Sequence, residues 1–307
     1  MSTINGRSKG RRPRRNGRPR WLSHETFTAY AFLILPLALF VFTKFYPVFY
    51  NVVLSFTNYD LFNPIKFTGA ENYVYVFTNE VTLKAIRNTL IFTVGIVPIG
   101  ASLALIIATL LNQPIRGRVF FRTIYYLPVI TSVVVTSLIW QLIFSQQKSG
   151  LLNQFFSLFG IPPQGWLTDP RLARLSLFII SWWGLGGTMV IFLAALQDIP
   201  EEIYEAAKID GARGWQSFLY VTVPMLRPVI LFVVVTGCIG VFRAFGTIFM
   251  LTQGGPSLTT NTLVWEVYMN AFGYLRLGRA GAVSVVLVTL ILLITILNFR
   301  LLREREE

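Results

Sequence analysis

The chain is 307 residues long, 54% hydrophobic and 13% charged, with a mean hydropathy of +0.59, which is too apolar for an ordinary soluble domain. A formal net charge of +13 would raise the question of nucleic acid in a soluble chain, but Arg7, Lys9, Arg11, Arg12, Arg14, Arg15, Arg18 and Arg20 crowd into the first 25 residues, and the apolar run at 281–301 is incompatible with a soluble basic domain. A single cysteine, Cys238, and a single histidine, His24, exclude a disulfide and any His/Cys metal cluster.

Residues 1–25 mix those basic residues with Gly, Pro and Ser and read as a disordered cytoplasmic tail. Such a tail can rest on anionic membrane lipid, at about 1 kcal/mol per basic residue near the surface. The apolar run after it has no A-x-A-like cleavage site, so a retained first helix is expected rather than a cleaved signal peptide. Crossing a hydrocarbon core about 30 Å thick takes roughly 20 residues. Six windows qualify, at about 28–50, 88–112, 124–145, 174–196, 229–251 and 281–301, so residues 26–307 are expected to form an all-α membrane domain of six transmembrane helices. Cys238 falls in the fifth window and reads as a small packing residue.

Six crossings put both ends on one side. With the tail inside, the inner segments add Arg116, Arg118, Arg122, Lys208, Arg213, Arg227, Arg300, Arg303 and Arg305, about twice the basic residues of the outer segments, so both termini are expected to be cytoplasmic. The outer connections, about 51–87, 146–173 and 252–280, carry Tyr59, Phe62, Trp166 and Trp265. Two readings stand for them: an interfacial aromatic belt, or a docking surface for an extracytoplasmic partner.

The inner segment 197–224 reads as a folded device rather than a casual loop. Pro200 suits a first helical position, Glu201 and Glu202 complement the positive end of a helix, and Gly211 after Asp210 is a stop signal. A helix of about three turns over 200–210 follows, with Ile203, Ala206, Ala207 and Asp210 at i, i+3, i+4 and i+7, its low Ala pair suited to a groove on another protein. A second helix is expected from Arg213, meeting Pro224 at the membrane.

For a solute path, the fourth window offers Trp182, Trp183, Gly184, Gly186, Gly187 and Thr188, and the fifth offers Phe242, Arg243 and Phe245. Trp182 and Trp183 point about 100° apart, so at most one faces the path, taken as Trp183. An Arg facing lipid at the bilayer centre costs about 2.5–3.5 kcal/mol, which favours a cavity or the interface for Arg243. Gly184 and Gly187 either let solute approach the backbone or serve close helix packing, and Phe242 either stacks on solute or fills the core.

The pattern Glu205-Ala206-Ala207, Gly211, Val221, Val223 and Pro224 resembles the cytoplasmic signature of permeases in binding-protein-dependent ABC importers, with Val for Ile at 221 and Val for Leu at 223. The words Gly69-Ala-Glu-Asn-Tyr73, Asn88-Thr-Leu, Phe120-Phe-Arg-Thr123, Leu127-Pro128, Trp166-Leu-Thr-Asp-Pro170 and Thr252-Gln-Gly-Gly-Pro256 narrow the resemblance to the carbohydrate-uptake branch, similar to maltose-transporter and glycerol-3-phosphate-transporter permeases. Gly246 departs from it, since many relatives carry an acidic residue there. The resemblance implies a type I ABC importer permease fold with a cytoplasmic coupling helix, a second homologous permease, an ATPase dimer that binds the ATP, an extracytoplasmic solute-binding protein and a sugar-like solute. It also implies that Glu205, Ala206, Ala207, Asp210, Gly211 and Pro224 couple to the ATPase. No cofactor of the chain's own and no catalytic group is expected, because no G-x-x-x-x-G-K-[ST] loop occurs and no acidic, His, Ser and Cys groups converge within the spans. A channel or secondary transporter is the rival reading, and neither needs the 197–224 segment.

Overall fold

A computed structural model describes residues 24–302, with side chains from Thr28 to Leu301. Residues 1–23 of the expected tail, and Arg303 and Arg305, lie outside the described residues. The chain divides into two compact units, Met1–Asn51 and Val52–Glu307. The helix α1 (Thr28–Leu54) is long and apolar enough to cross a membrane, with one π turn at Val41–Phe45.

In the second unit, α2 (Glu71–Thr78) leads into α3 (Glu80–Asn112), whose 33 residues reach about 50 Å. This helix begins about two turns before the apolar window because Asn79 caps it, its Oδ1 accepting the N–H groups of Val81 at 3.0 Å and Thr82 at 3.2 Å. Helix α4 (Arg118–Ile130) and helix α5 (Val133–Ile143) form one bent span. After α6 (Leu151–Ser157) come α7 (Ala173–Trp183), α8 (Gly186–Gln197), α9 (Glu201–Ile209), α10 (Gly214–Met225), α11 (Arg227–Phe242), α12 (Gly246–Leu251), α13 (Leu263–Tyr268) and α14 (Leu277–Leu302). Among the described residues the fold is all-α, and by length and composition three helices are long and apolar enough to cross a membrane, or six spans if each of three bent pairs counts as one.

The third, fourth and fifth expected windows are not straight helices. The third bends by 104° between α4 and α5 and the fourth by 43° between α7 and α8, while the 70° bend between α10 and α11 falls at Leu226, just ahead of the fifth window. Pro128 lacks the N–H that would continue α4, Thr131 is extended, and the Ser132 hydroxyl restarts the chain by accepting the Val134 N–H at 3.2 Å. The fifth window also ends early: α11 stops at Phe242, and only α12 resumes toward Leu251.

Helix α3 is the central post. Ala104, Leu105, Ala108 and Leu111 on it meet Met189, Phe192, Leu193 and Leu196 of α8, while Ala85 meets Phe242, Leu263, Ala282 and Val283 at its other end. Small residues on α3 let α8 and α14 approach closely, as membrane helices require in the absence of a hydrophobic drive between them. Polar groups tie the connections at 51–87, 146–173 and 252–280 to this frame. Asn88 donates to the carbonyls of Leu258 at 2.7 Å and Asn261 at 2.9 Å, Arg174 donates to Asn88 at 3.1 Å, and Trp166 donates to Asn153 at 2.8 Å.

Candidate functional site

Two regions hold the residues singled out from the sequence. The first is α9 and its flanks. Pro200 stands one position earlier than expected, as the cap before Glu201, and its carbonyl accepts the Ile203 N–H at 3.2 Å. Gly211 has φ +79, and the N–H groups of Gly211 and Ala212 return to the carbonyls of Lys208 at 3.0 Å and Ala207 at 2.9 Å, a complete Schellman stop. Asp210, the residue before it, is exposed. The next helix starts at Gly214, after Arg213, whose N–H is taken by the Gln216 side chain at 2.8 Å. Pro224 lies inside α10, and the bend comes two residues later at Leu226, just before Arg227 and Pro228 open α11.

The ridge expected on α9 is rotated. Ile203 and Ala207 are half-buried against the chain's own α10 side, where the Tyr204 hydroxyl meets that of Thr222 at 3.1 Å. The free face is Glu202, Glu205, Ala206 and Ile209, again at i, i+3, i+4 and i+7. Ile209 is 86% exposed, and Trp215 at 58% and Tyr220 at 72% are exposed on α10. Ile209 was legible only as an isolated apolar residue between Lys208 and Asp210 in a polar stretch.

The second region is where three interruptions come together: Thr131–Ser132 between α4 and α5, Gly184–Leu185 between α7 and α8, and Arg243–Phe245 between α11 and α12. The interruption at Thr131–Ser132 sits between Val129 and Val133; the first is 4.0 Å from the Cβ position of Gly187 and the second 3.2 Å from that of Gly246. A Cβ on Gly186 would collide with the Tyr125 carbonyl, so this glycine, not Gly184 or Gly187, serves close helix packing. Trp183 is 42% exposed and meets Trp140 edge-to-face at 5.9 Å, whereas Trp182 is half-buried beside Phe178. Gly184 and Arg243 are exposed at the ends of α7 and α11, and Arg243 forms no ion pair among the described residues. Phe245 is half-buried against Tyr268 at 4.8 Å. Phe242 is 1% exposed within the core, so in this conformation its ring packs rather than lines an open route.

The words that narrowed the resemblance do different work. Asn72 donates to the carbonyls of Ser55 at 2.9 Å and Thr57 at 2.7 Å, and Trp166 and Asn88 make the ties given above, so these are fastenings of the long connections between spans. Just outside the spans, Glu266 is buried with Asn261 at 2.8 Å and Asn270 at 3.2 Å on its two oxygens; burial pushes its pKa up and the two amides partly offset this.

A family model described as binding-protein-dependent transport system inner membrane component matches residues 96–303. The lactose transport system permease protein LacF of Rhizobium radiobacter is 39% identical over 269 residues, covering 85% of this chain and 89% of that protein. The arabinooligosaccharides transport system permease protein AraP of Halalkalibacterium halodurans is 35% identical over 268 residues, covering 86% and 84%. In fold, the chain is similar to one from a bacterial ABC transporter involved in the import of the acidic polysaccharide alginate, with a TM-score of 0.81 and 22% identity over 92% of this chain and 97% of that one. The broken-span fold, the α9 signature and the matched length agree, and the chain belongs to the binding-protein-dependent transport system inner membrane components, the permease subunits of ABC transporters.

Proposed function

We propose that this chain pairs with a second, homologous permease to form the membrane path of an ATP-driven sugar importer, with α9 seated on a separate ATPase subunit in the cytoplasm. The observation that carries the reading is the free face of Glu202, Glu205, Ala206 and Ile209 on a helix fixed at both ends. A short helix with an exposed isoleucine beside a carboxylate fits a groove with an apolar floor and a basic rim. Its movement would pass through Tyr204 and Thr222 to α10 and across the 70° bend into α11, a rigid transmission of the shear kind. The basic-residue asymmetry supports placing α9 inside, and the names of the lactose and arabinooligosaccharide relatives support a sugar as solute. A bacterial alginate ABC transporter with a chain of similar fold has been solved in complex with an alginate pentasaccharide-bound periplasmic protein, which supports delivery by a binding protein. Trp183, Gly184, Gly187, Arg243 and Phe245, gathered at the three breaks, are the proposed path residues, with Phe242 packed behind them.

The test is Glu205→Lys in the reconstituted importer. Transport-coupled ATP hydrolysis is expected to be lost with the protein still inserted and assembled, and normal coupling would remove Glu205 from the mechanism.

A further inference from the structure

Between the ends of α5 and α12 lies a cavity of about 480 Å³ that opens to the surface. The two helices run parallel there. Val133 lies against Gly246 at their inner ends, and Gln141 and Phe144 face Leu251 and Thr252 at their outer ends. Ser145, Gln146 and Thr168 complete the polar side. No Asp, Glu, Lys or Arg lines the cavity.

The hydrogen-bonding capacity left over is specific. The Thr168 hydroxyl donates to the Gln146 carbonyl at 3.0 Å, which holds that side chain and leaves its amide N–H groups free. Gln141 has no side-chain partner among the described residues and offers both a donor and an acceptor. Leu167 and Leu251 supply an apolar side above Phe144, which stacks on Trp140 at 4.9 Å, and Trp140 in turn touches the proposed path residue Trp183. Uncharged donors and acceptors facing an apolar wall suit a neutral polyhydroxy ring, and the volume falls in the range of small-molecule sites, about 300–1,000 Å³. We infer that this cavity is an outer vestibule that holds a neutral sugar unit before it reaches the breaks at Trp183 and Arg243. The inference rests on the sugar-importer reading above.

The experiment uses the complete importer with its binding protein in proteoliposomes, with radiolabelled lactose, maltose and arabinobiose as neutral probes and lactobionate as the acidic one. Gln141→Leu and Gln146→Leu are compared with Gln147→Leu, which lies outside the cavity, and the reading is sugar moved per ATP hydrolysed. Losing one such contact is expected to lower this ratio about five- to tenfold for the neutral probe carried, at unchanged binding-protein-stimulated hydrolysis. The Gln147 variant should match the parent. An unchanged ratio in both cavity variants overturns the vestibule while leaving the importer reading intact. A parallel fall in stimulated hydrolysis assigns the cavity to a loop of the binding protein and also overturns it. A parent importer that moves lactobionate but no neutral probe refutes the neutral-sugar vestibule alone, and one that moves no sugar at all overturns both readings.

Discussion

The hydroxyl of Tyr204 on α9 lies 3.1 Å from that of Thr222 on α10, the side-chain hydrogen bond that joins the exposed short helix to the segment leading into the membrane. Thr222 is buried and Tyr204 half-buried, so water does not readily replace the contact. Tyr204→Phe should cost about 0.5–1.5 kcal/mol and loosen α9 relative to α10. In the reconstituted importer this is expected to lower transport per ATP while basal hydrolysis stays close to that of the parent. An unaltered ratio would show that the lever does not depend on this bond.

Gly211 closes α9 with φ +79, and no atom lies within 4 Å of its Cβ position, so conformation alone decides what it tolerates. Gly211→Val should cost about 1–2 kcal/mol or more from left-handed strain and disrupt coupling, whereas Gly211→Asn should retain much of it because Asn enters that region more readily. Equal activity of the two variants would contradict the argument.

Trp183 and Phe242 separate path from packing. Phe242→Leu removes part of a buried ring and should lower thermal stability by about 1–2 kcal/mol without altering solute preference. Trp183→Leu, at a half-exposed site, should leave stability nearly unchanged and weaken uptake. Thermal unfolding of the purified complex together with competition among sugars checks both, and the reverse pattern would exchange the two roles.

Glu266 carries a pH prediction. Burial raises its pKa above the ordinary 4.5, so the folded protein holds the proton more tightly than the unfolded chain. The carboxyl's contribution to stability therefore declines as pH rises from about 4.5 through the raised folded value and stays low above it. Glu266→Gln keeps the shape and should flatten that decline, so the melting temperatures of parent and variant should diverge as pH rises above 4.5. A parallel pH dependence in the two proteins would mean that Glu266 does not titrate differently on folding.

How much of this was legible follows from which physical forces act locally. The apolar windows, the Gly211 stop and the acidic first turn of α9 are short-range or compositional signals, and they carry an all-α membrane chain, a folded segment at 197–224 and a family resemblance. Hydropathy reports how apolar a stretch is and not whether it is straight. The 104° bend after Pro128 and the early end of α11 at Phe242 therefore had to come from tertiary structure. Facing is likewise a three-dimensional property: Ile203 and Ile209 lie on one short helix, yet packing against α10 half-buries the first and leaves the second 86% exposed. Phe242 and Trp183 were equivalent as mid-span aromatics until the helices around them were placed, because burial depends on neighbours far away in sequence, such as Ala85 and Ala282, that no local pattern names.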